Sequence, residues 1–143
     1  MFFSGFISSF HLGLFYAISL FREMGKTYDL SKRLIEFSVA IITMAENLPA
    51  TITGKYLAGQ IIRSGIAPSL IYGEAMAAES RSDFIHKMKI ALKELRETYH
   101  SLQIIEMKGI SKDKNLGNLI DENNQLVSIF VKSIQAARIN QNA

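Results

Sequence analysis

The stretch "SDFIHKMKIALKELRETYHSLQIIEMK", residues 82–108, predicts one long helix with a wide apolar face. Its apolar residues recur at spacings of three and four, which is the period of a helix that buries one side. Ser80 or Ser82 is a suitable N-cap, and Gly109 is a suitable terminator. The predicted core face consists of Phe84, Ile85, Met88, Ala91, Leu92, Leu95, Thr98, Tyr99, Leu102 and Ile105.

Three more apolar stripes lie on either side of this segment. Residues 27–47 carry one stripe, which Pro49 ends, and Thr51 or Thr53 can cap the helix that follows. The last stripe lies beyond a polar loop and includes Leu119, Leu126 and Phe130. Four helices joined by short loops predict an all-α fold, an up-down-up-down antiparallel four-helix bundle.

The second helix contains three residues that disfavour a regular helix: Gly65, Pro68 and Gly73. A proline inside a straight helix costs about 3 kcal/mol, so the sequence predicts a kink or break between Gly65 and Pro68. Glycines leave room for a close neighbour. Arg63 and Glu74 flank this region, and we interpret them as ion-paired or hydrogen-bonded contacts between helices. The alternative for Arg63 is contact with an RNA phosphate.

Four motifs carry a resemblance: "QIIRSG", "YGEA", "AESRSDFIHKMKIALKELRET" and "FVKSI". From about Tyr28 to Ala137 the chain resembles the four-helix-bundle family named for intervening sequences in 23S ribosomal RNA genes, especially its Bacteroidetes-type members. A distant relative in that family is the accessory protein of diversity-generating retroelements, which works beside a reverse transcriptase. The resemblance implies a homopentameric ring with basic surfaces and no assigned activity. The family usually has asparagine where this chain has Ile71, so any polar contact made by that asparagine is lost here.

Surplus apolar surface on the third helix supports an oligomer. Phe84, Ala91 and Thr98 widen its stripe on one side, and Ile85 and Tyr99 widen it on the other. Small residues of the second helix suit close approach by another chain. These are Gly65, Ala67 and Gly73.

Residues 1–23 differ in composition from residues 24–143, which we assign to the bundle. The segment from residue 2 to residue 21 has no formal charge and the length of a membrane-spanning helix. Three interpretations remain open: a misassigned start ahead of Met24, a membrane anchor, or an extra packed helix. The chain has no cysteine. We expect a cytoplasmic location unless the segment is translated and inserted.

The outer face of residues 82–108 carries a basic stripe at spacings of three and four, beside an acidic stripe of Asp83, Glu94 and Glu97. One interpretation is a solvated face with pairs such as Lys93–Glu97. The other is a surface for phosphate, amplified if a ring repeats it. The basic stripe consists of His86, Lys89, Lys93, Arg96 and His100. The candidates for contact with nucleic acid are Lys89, Lys93, Arg96, Arg81 and Arg63.

Catalytic, cofactor and metal sites are not predicted. Asp83 and His86, like Glu97 and His100, have the spacing of a di-metal bundle, but both pairs lie on one helix and face outward. Ser64 and Ser69 have no histidine nearby in sequence, and Gly65 and Gly73 form no phosphate loop. The net charge of +3 permits nucleic-acid contact without requiring it.

The predicted function is a non-catalytic oligomeric scaffold that binds RNA or a reverse-transcriptase-like protein. The alternative is a protein-interaction bundle with no nucleic-acid role.

Overall fold

The computed structural model describes residues 29–139, and this part of the chain forms four helices without a strand. They are α1 (Leu30–Glu46), α2 (Ile52–Met76), α3 (Arg81–Lys108) and α4 (Leu116–Ile139). The connections are short, spanning residues 47–51, 77–80 and 109–115. The three interpretations of residues 1–23, and the boundary at residue 24, lie outside the described residues. Between residues 29 and 139, no helix combines the length and hydropathy needed to cross a membrane.

Side-chain caps fix where the helices begin. Asp29, Thr51 and Ser80 accept hydrogen bonds from the backbone N–H groups of Lys32, Gly54 and Asp83, each at 3.0 Å. Each cap satisfies a donor that the first turn would otherwise leave unpaired. The third helix ends at Gly109, whose φ of 69° is the left-handed conformation that glycine adopts without strain. The structure thus selects Thr51 and Ser80 from the alternatives, and Asp29 is a cap that the sequence analysis missed.

The apolar stripes meet in one core, which confirms the antiparallel four-helix bundle. Each helix packs extensively against the next one in sequence, while α1 and α4 touch less and close the bundle. Nearly the whole predicted face of α3 is buried, and Tyr99 is half-buried. The large apolar side chains with almost no exposure are Leu34, Ile41, Met44, Ile61, Met88, Leu95, Leu102, Ile105, Leu126 and Phe130.

The expected surplus on α3 is therefore not available to a second chain. Phe84, Ile85, Ala91 and Thr98 are buried inside their own bundle, so the prediction that they form a subunit interface is wrong. The apolar side chains that remain outside belong largely to other helices. Exposed examples are Ile35 and Val39 on α1 and Ile52, Tyr56 and Leu70 on α2.

The second helix continues through its proline. Helical structure is uninterrupted from Ile52 to Met76 with Pro68 inside and buried, so a break between Gly65 and Pro68 is excluded. Pro68 has no N–H to donate to the carbonyl of Ser64, so the helix loses one hydrogen bond. The packing of α2 on both sides outweighs this loss. A kink in a continuous helix stays a prediction. Ile71 is half-buried against the core, an apolar contact in place of the asparagine usual in the resembled family.

The two glycines of α2 that flank Pro68 have opposite environments. A Cβ on Gly65 would lie 2.7 Å from Cγ2 of Ile41, so this glycine lets α1 and α2 approach closely. A Cβ on Gly73 would have no atom within 4 Å. Gly65 therefore packs within the chain, whereas Gly73 faces open space.

Candidate nucleic-acid interface on the third helix

The basic stripe lies on the outer face of α3, opposite the core. His86, Lys89, Lys93, Arg96 and His100 are all exposed. At 1.5 Å per residue they extend over about 21 Å of the helix. The ring of His100 also makes an edge contact with Tyr99, with centroids 6.0 Å apart. Lys89, Lys93 and Arg96 thus form one cationic line, with a histidine at each end, on a well-packed helix.

Two acidic residues of α3, Glu94 and Glu97, bind α2 and not the basic stripe. Arg63 of α2 donates from Nη1 to Glu94 Oε2 at 3.1 Å and from Nη2 to Glu97 Oε1. The Lys93–Glu97 pair predicted from spacing does not form, because Glu97 is bound to Arg63 instead. Among residues 29–139, Lys89, Lys93 and Arg96 have no carboxylate within ion-pair distance.

Arg63 is a contact between helices. Its hydrogen bond to Glu97, followed by the charges of Glu94 and Glu97, raises the pKa of the Arg63 guanidinium above its already high ordinary value. The side chain therefore stays cationic and remains held by the two carboxylates. Because its side chain is 53% exposed, the pair adds little stability. Arg63 is accordingly not placed to serve as a free phosphate ligand.

The remaining charged candidates are also engaged. Glu74 lies 3.7 Å from Nζ of Lys87, which is a second ionic contact between α2 and α3. Asp83 accepts from the backbone N–H of Glu79 at 3.3 Å, at the capped start of α3. Arg81 is half-buried and has a partner of its own. Of the five nucleic-acid candidates, the structure aligns Lys89, Lys93 and Arg96 and leaves Arg63 and Arg81 outside the group.

A second arginine joins α1 to α4, and the sequence analysis missed it. Arg33 donates to both carboxylate oxygens of Glu122, at 2.6 and 2.8 Å, and to Oε1 of Gln125 at 2.8 Å. The side chain of Arg33 is only 16% exposed, so this two-pronged pair is better shielded than the Arg63 contact. It lies beside an open groove of about 740 Å³, which Asp29 and Glu36 also line. Lys32 lines the groove as well, so its charged lining is mixed.

Buried polar side chains complete the core. Oγ of Ser64 donates to the carbonyl of Gln60 at 3.0 Å and lies 2.8 Å from Oγ1 of Thr98, which links α2 to α3. Nδ2 of Asn123 donates to the carbonyl of Leu95 at 2.9 Å, while its Oδ1 has no partner in the structure. Asn123 was not predicted, because its place in the core depends on the packing of α3 against α4. These contacts are structural, and within residues 29–139 the Ser64 hydroxyl contacts no histidine.

Metal-ligating groups do not converge in the described part of the chain. Between residues 29 and 139, no three His, Cys, Asp or Glu side chains are grouped closely enough to hold an ion. The carboxylate of Glu97, which has metal-site spacing to His100, is bound to Arg63. The outer face of α3 therefore offers positive charge and hydrogen-bond donors, which are what a polyanion recognises.

Comparison with known proteins agrees with this architecture. The model of the 23S rRNA-intervening sequence protein family matches residues 26–132. The crystal structure of a protein of unknown function from the S23 ribosomal protein family of Bacteroides thetaiotaomicron is similar, with a TM-score of 0.65 and 27% identity. That match covers 73% of this chain and 94% of the other. No protein with a curated description matches.

Proposed function

The chain belongs to the 23S rRNA-intervening sequence protein family, and we propose that it is a non-catalytic, oligomeric scaffold that binds RNA through the outer face of α3. The observation that carries the proposal is the set of unneutralised cations Lys89, Lys93 and Arg96. A solvated helix face would pair such residues with the carboxylates beside them. Here Arg63 binds both carboxylates, and the three cations have no ion-pair partner among residues 29–139.

Single-stranded RNA is the polyanion that fits this surface best. Three cations along one helix contact a flexible phosphate backbone without needing a groove of fixed width. We therefore expect binding that depends strongly on salt and weakly on base sequence.

Assembly into a closed ring of five, which the family resemblance implies, would repeat the cationic line around one particle. The surface that supports self-association is the outer side of α1 and α2. Ile35, Val39, Ile52, Tyr56 and Leu70 are each exposed over more than half of their surface. We take these exposed apolar side chains of two packed helices as the surface for self-association.

Glycines on the same side of α2 strengthen the case for assembly. Gly59 and Gly73 lie inside the helix, where glycine costs about 1 kcal/mol relative to alanine. Neither position has an atom of the described chain within 4 Å of a Cβ. Close approach by another copy accounts for two glycines that the single chain does not require.

Two measurements test the proposal. Light scattering coupled to size exclusion gives the mass at micromolar concentration, and we expect five times the mass of one chain. Filter binding to a single-stranded RNA at two salt concentrations gives the affinity, and we expect it to fall steeply with salt. The mass of a single chain would contradict the proposed ring. A ring that binds no RNA at low salt would favour the alternative, a bundle that recognises proteins through the exposed apolar side chains of α1 and α2.

A further inference from the structure

A small pocket lies where α3 begins and α4 ends. Its volume is about 280 Å³, and it is lined by Ser82, Ile85, His86, Lys89 and Arg138. Ser82, His86 and Lys89 follow one face of α3 at spacings of four and three, within about 11 Å of helix. Arg138 reaches the same pocket from the last turn of α4. Two helices therefore bring polar side chains to one place.

Every polar side chain in the lining can donate a hydrogen bond. Lys89 and Arg138 are cations, Ser82 has a hydroxyl, and the imidazole of His86 has an N–H donor in each of its protonation states. Among residues 29–139, no carboxylate lines the pocket. Ile85 is 6% exposed and is the one apolar residue of the lining. This lining favours a small oxyanion and disfavours cations and apolar ligands.

We propose that this pocket binds the phosphate monoester at the end of an RNA strand, an inference that rests on the function proposed above. A phosphate monoester carries a charge of about −1.5 to −2 near pH 7, whereas a backbone diester carries one negative charge. The two positive charges of Lys89 and Arg138 therefore match the monoester better. The pocket volume of about 280 Å³ leaves room for a phosphate group.

The position of Lys89 connects the pocket to the cationic line. Lys89 lines the pocket and is also the first of the three cations that continue through Lys93 to Arg96. Lys89 and Arg96 are about 10.5 Å apart along the helix axis. A strand whose terminal phosphate lies in the pocket can therefore continue along α3 with its backbone phosphates against Lys93 and Arg96. The pocket would anchor the strand end, and the line would bind the rest.

The test uses the full chain and three RNAs of one sequence that carry a 5′-phosphate, a 3′-phosphate or hydroxyls at both ends. Fluorescence anisotropy should show that one phosphorylated RNA binds about tenfold more tightly than the hydroxyl form, as expected for a charge-assisted contact. Arg138→Gln should abolish that difference. Lys132→Gln, which removes the same charge from an exposed position of α4 outside the pocket, should preserve it.

Inorganic phosphate provides an arm that does not depend on RNA binding. Calorimetric titration at constant ionic strength should show one phosphate site per chain in the wild type and in Lys132→Gln, but none in Arg138→Gln. Phosphate binding without RNA binding would support the pocket with free phosphate as its ligand and would reject the RNA function. Equal affinity for all three RNAs, with no phosphate site by calorimetry, would overturn the pocket and leave the RNA function standing. Circular dichroism of each variant checks that the fold is kept.

Discussion

The inner and outer faces of α2 and α3 differ in how many of their residues have a contact partner within the same chain. On the inner faces, Leu95 is fully buried, Gly65 contacts Ile41, and Thr98 is hydrogen-bonded to Ser64. Each of these three residues packs against or hydrogen-bonds to another residue of the described chain. On the outer faces, Gly73 faces open space and Leu70 is exposed. Lys89, Lys93 and Arg96 form no ion pair with a carboxylate of residues 29–139.

This difference separates folding from function. Residues on the inner faces are explained by the free energy of packing the bundle. Those on the outer faces, such as a helical glycine with no close neighbour, add nothing to the stability of one chain and in part reduce it. We propose that contacts with other molecules explain them. Substitutions on the two faces should therefore affect different measurements.

The largest effect is expected from Leu95→Ala on the inner face. Truncation of this fully buried side chain should lower the free energy of unfolding by about 2–5 kcal/mol, because it leaves a cavity in the core. The matched substitution Arg96→Gln, one residue away on the outer face, should change it by less than about 0.5 kcal/mol. Chemical denaturation of both variants measures this, and similar losses in the two would break the distinction between the faces.

A smaller effect is expected from Gly65→Ala. The added methyl would lie 2.7 Å from Cγ2 of Ile41, a buried β-branched side chain that has little freedom to move. We expect a net loss of about 1–2 kcal/mol, since overpacking outweighs the better helix propensity of alanine. Thermal unfolding measures the loss. A variant more stable than the wild type would show that α1 and α2 are not in close contact at this point.

Gly73→Ala should act in the opposite direction on the folding of one chain. Alanine should stabilise the helix by about 0.5–1 kcal/mol, because nothing in the described chain lies near the new methyl. If another copy packs closely here, the same methyl should weaken assembly, which light scattering at several concentrations would detect. Gly117→Ala, another helical glycine with open surroundings, should leave assembly intact. Unchanged assembly in Gly73→Ala would place the interface elsewhere.

The inner faces were predictable from the sequence because helical periodicity directly encodes which side chains are buried. Leu95, Gly109 and the stripe of α4 follow from spacing and from the preferences of glycine. The sequence predicted a kink or a break at Pro68, and only the break is excluded, because local preference does not include the packing that holds α2 continuous. A resemblance spread over several motifs identified the family, which the match over residues 26–132 confirms.

The candidate site was only partly predictable, because ion pairs between helices depend on tertiary structure. The spacing favoured Lys93 as the partner of Glu97, but α2 brings Arg63 to the same carboxylate. Arg138 is 49 positions from Lys89 in the sequence, and nothing local indicates that they line one pocket. Arg33 and Glu122 are 89 positions apart and were missed for the same reason.

The most direct test of the central claim is the salt dependence of affinity for a single-stranded RNA, measured by anisotropy for three proteins. They are the wild type, the stripe variant Lys89→Gln/Lys93→Gln/Arg96→Gln, and the control variant Lys112→Gln/Lys114→Gln/Lys132→Gln. Both variants lose three charges at exposed positions, so they differ only in where the charge is lost. The slope of log affinity against log salt is negative. If the three cations of α3 contact phosphates, its magnitude should be smaller by about 2 in the stripe variant and unchanged in the control. Equal changes in the two variants, or a wild-type affinity that does not depend on salt, would contradict the account.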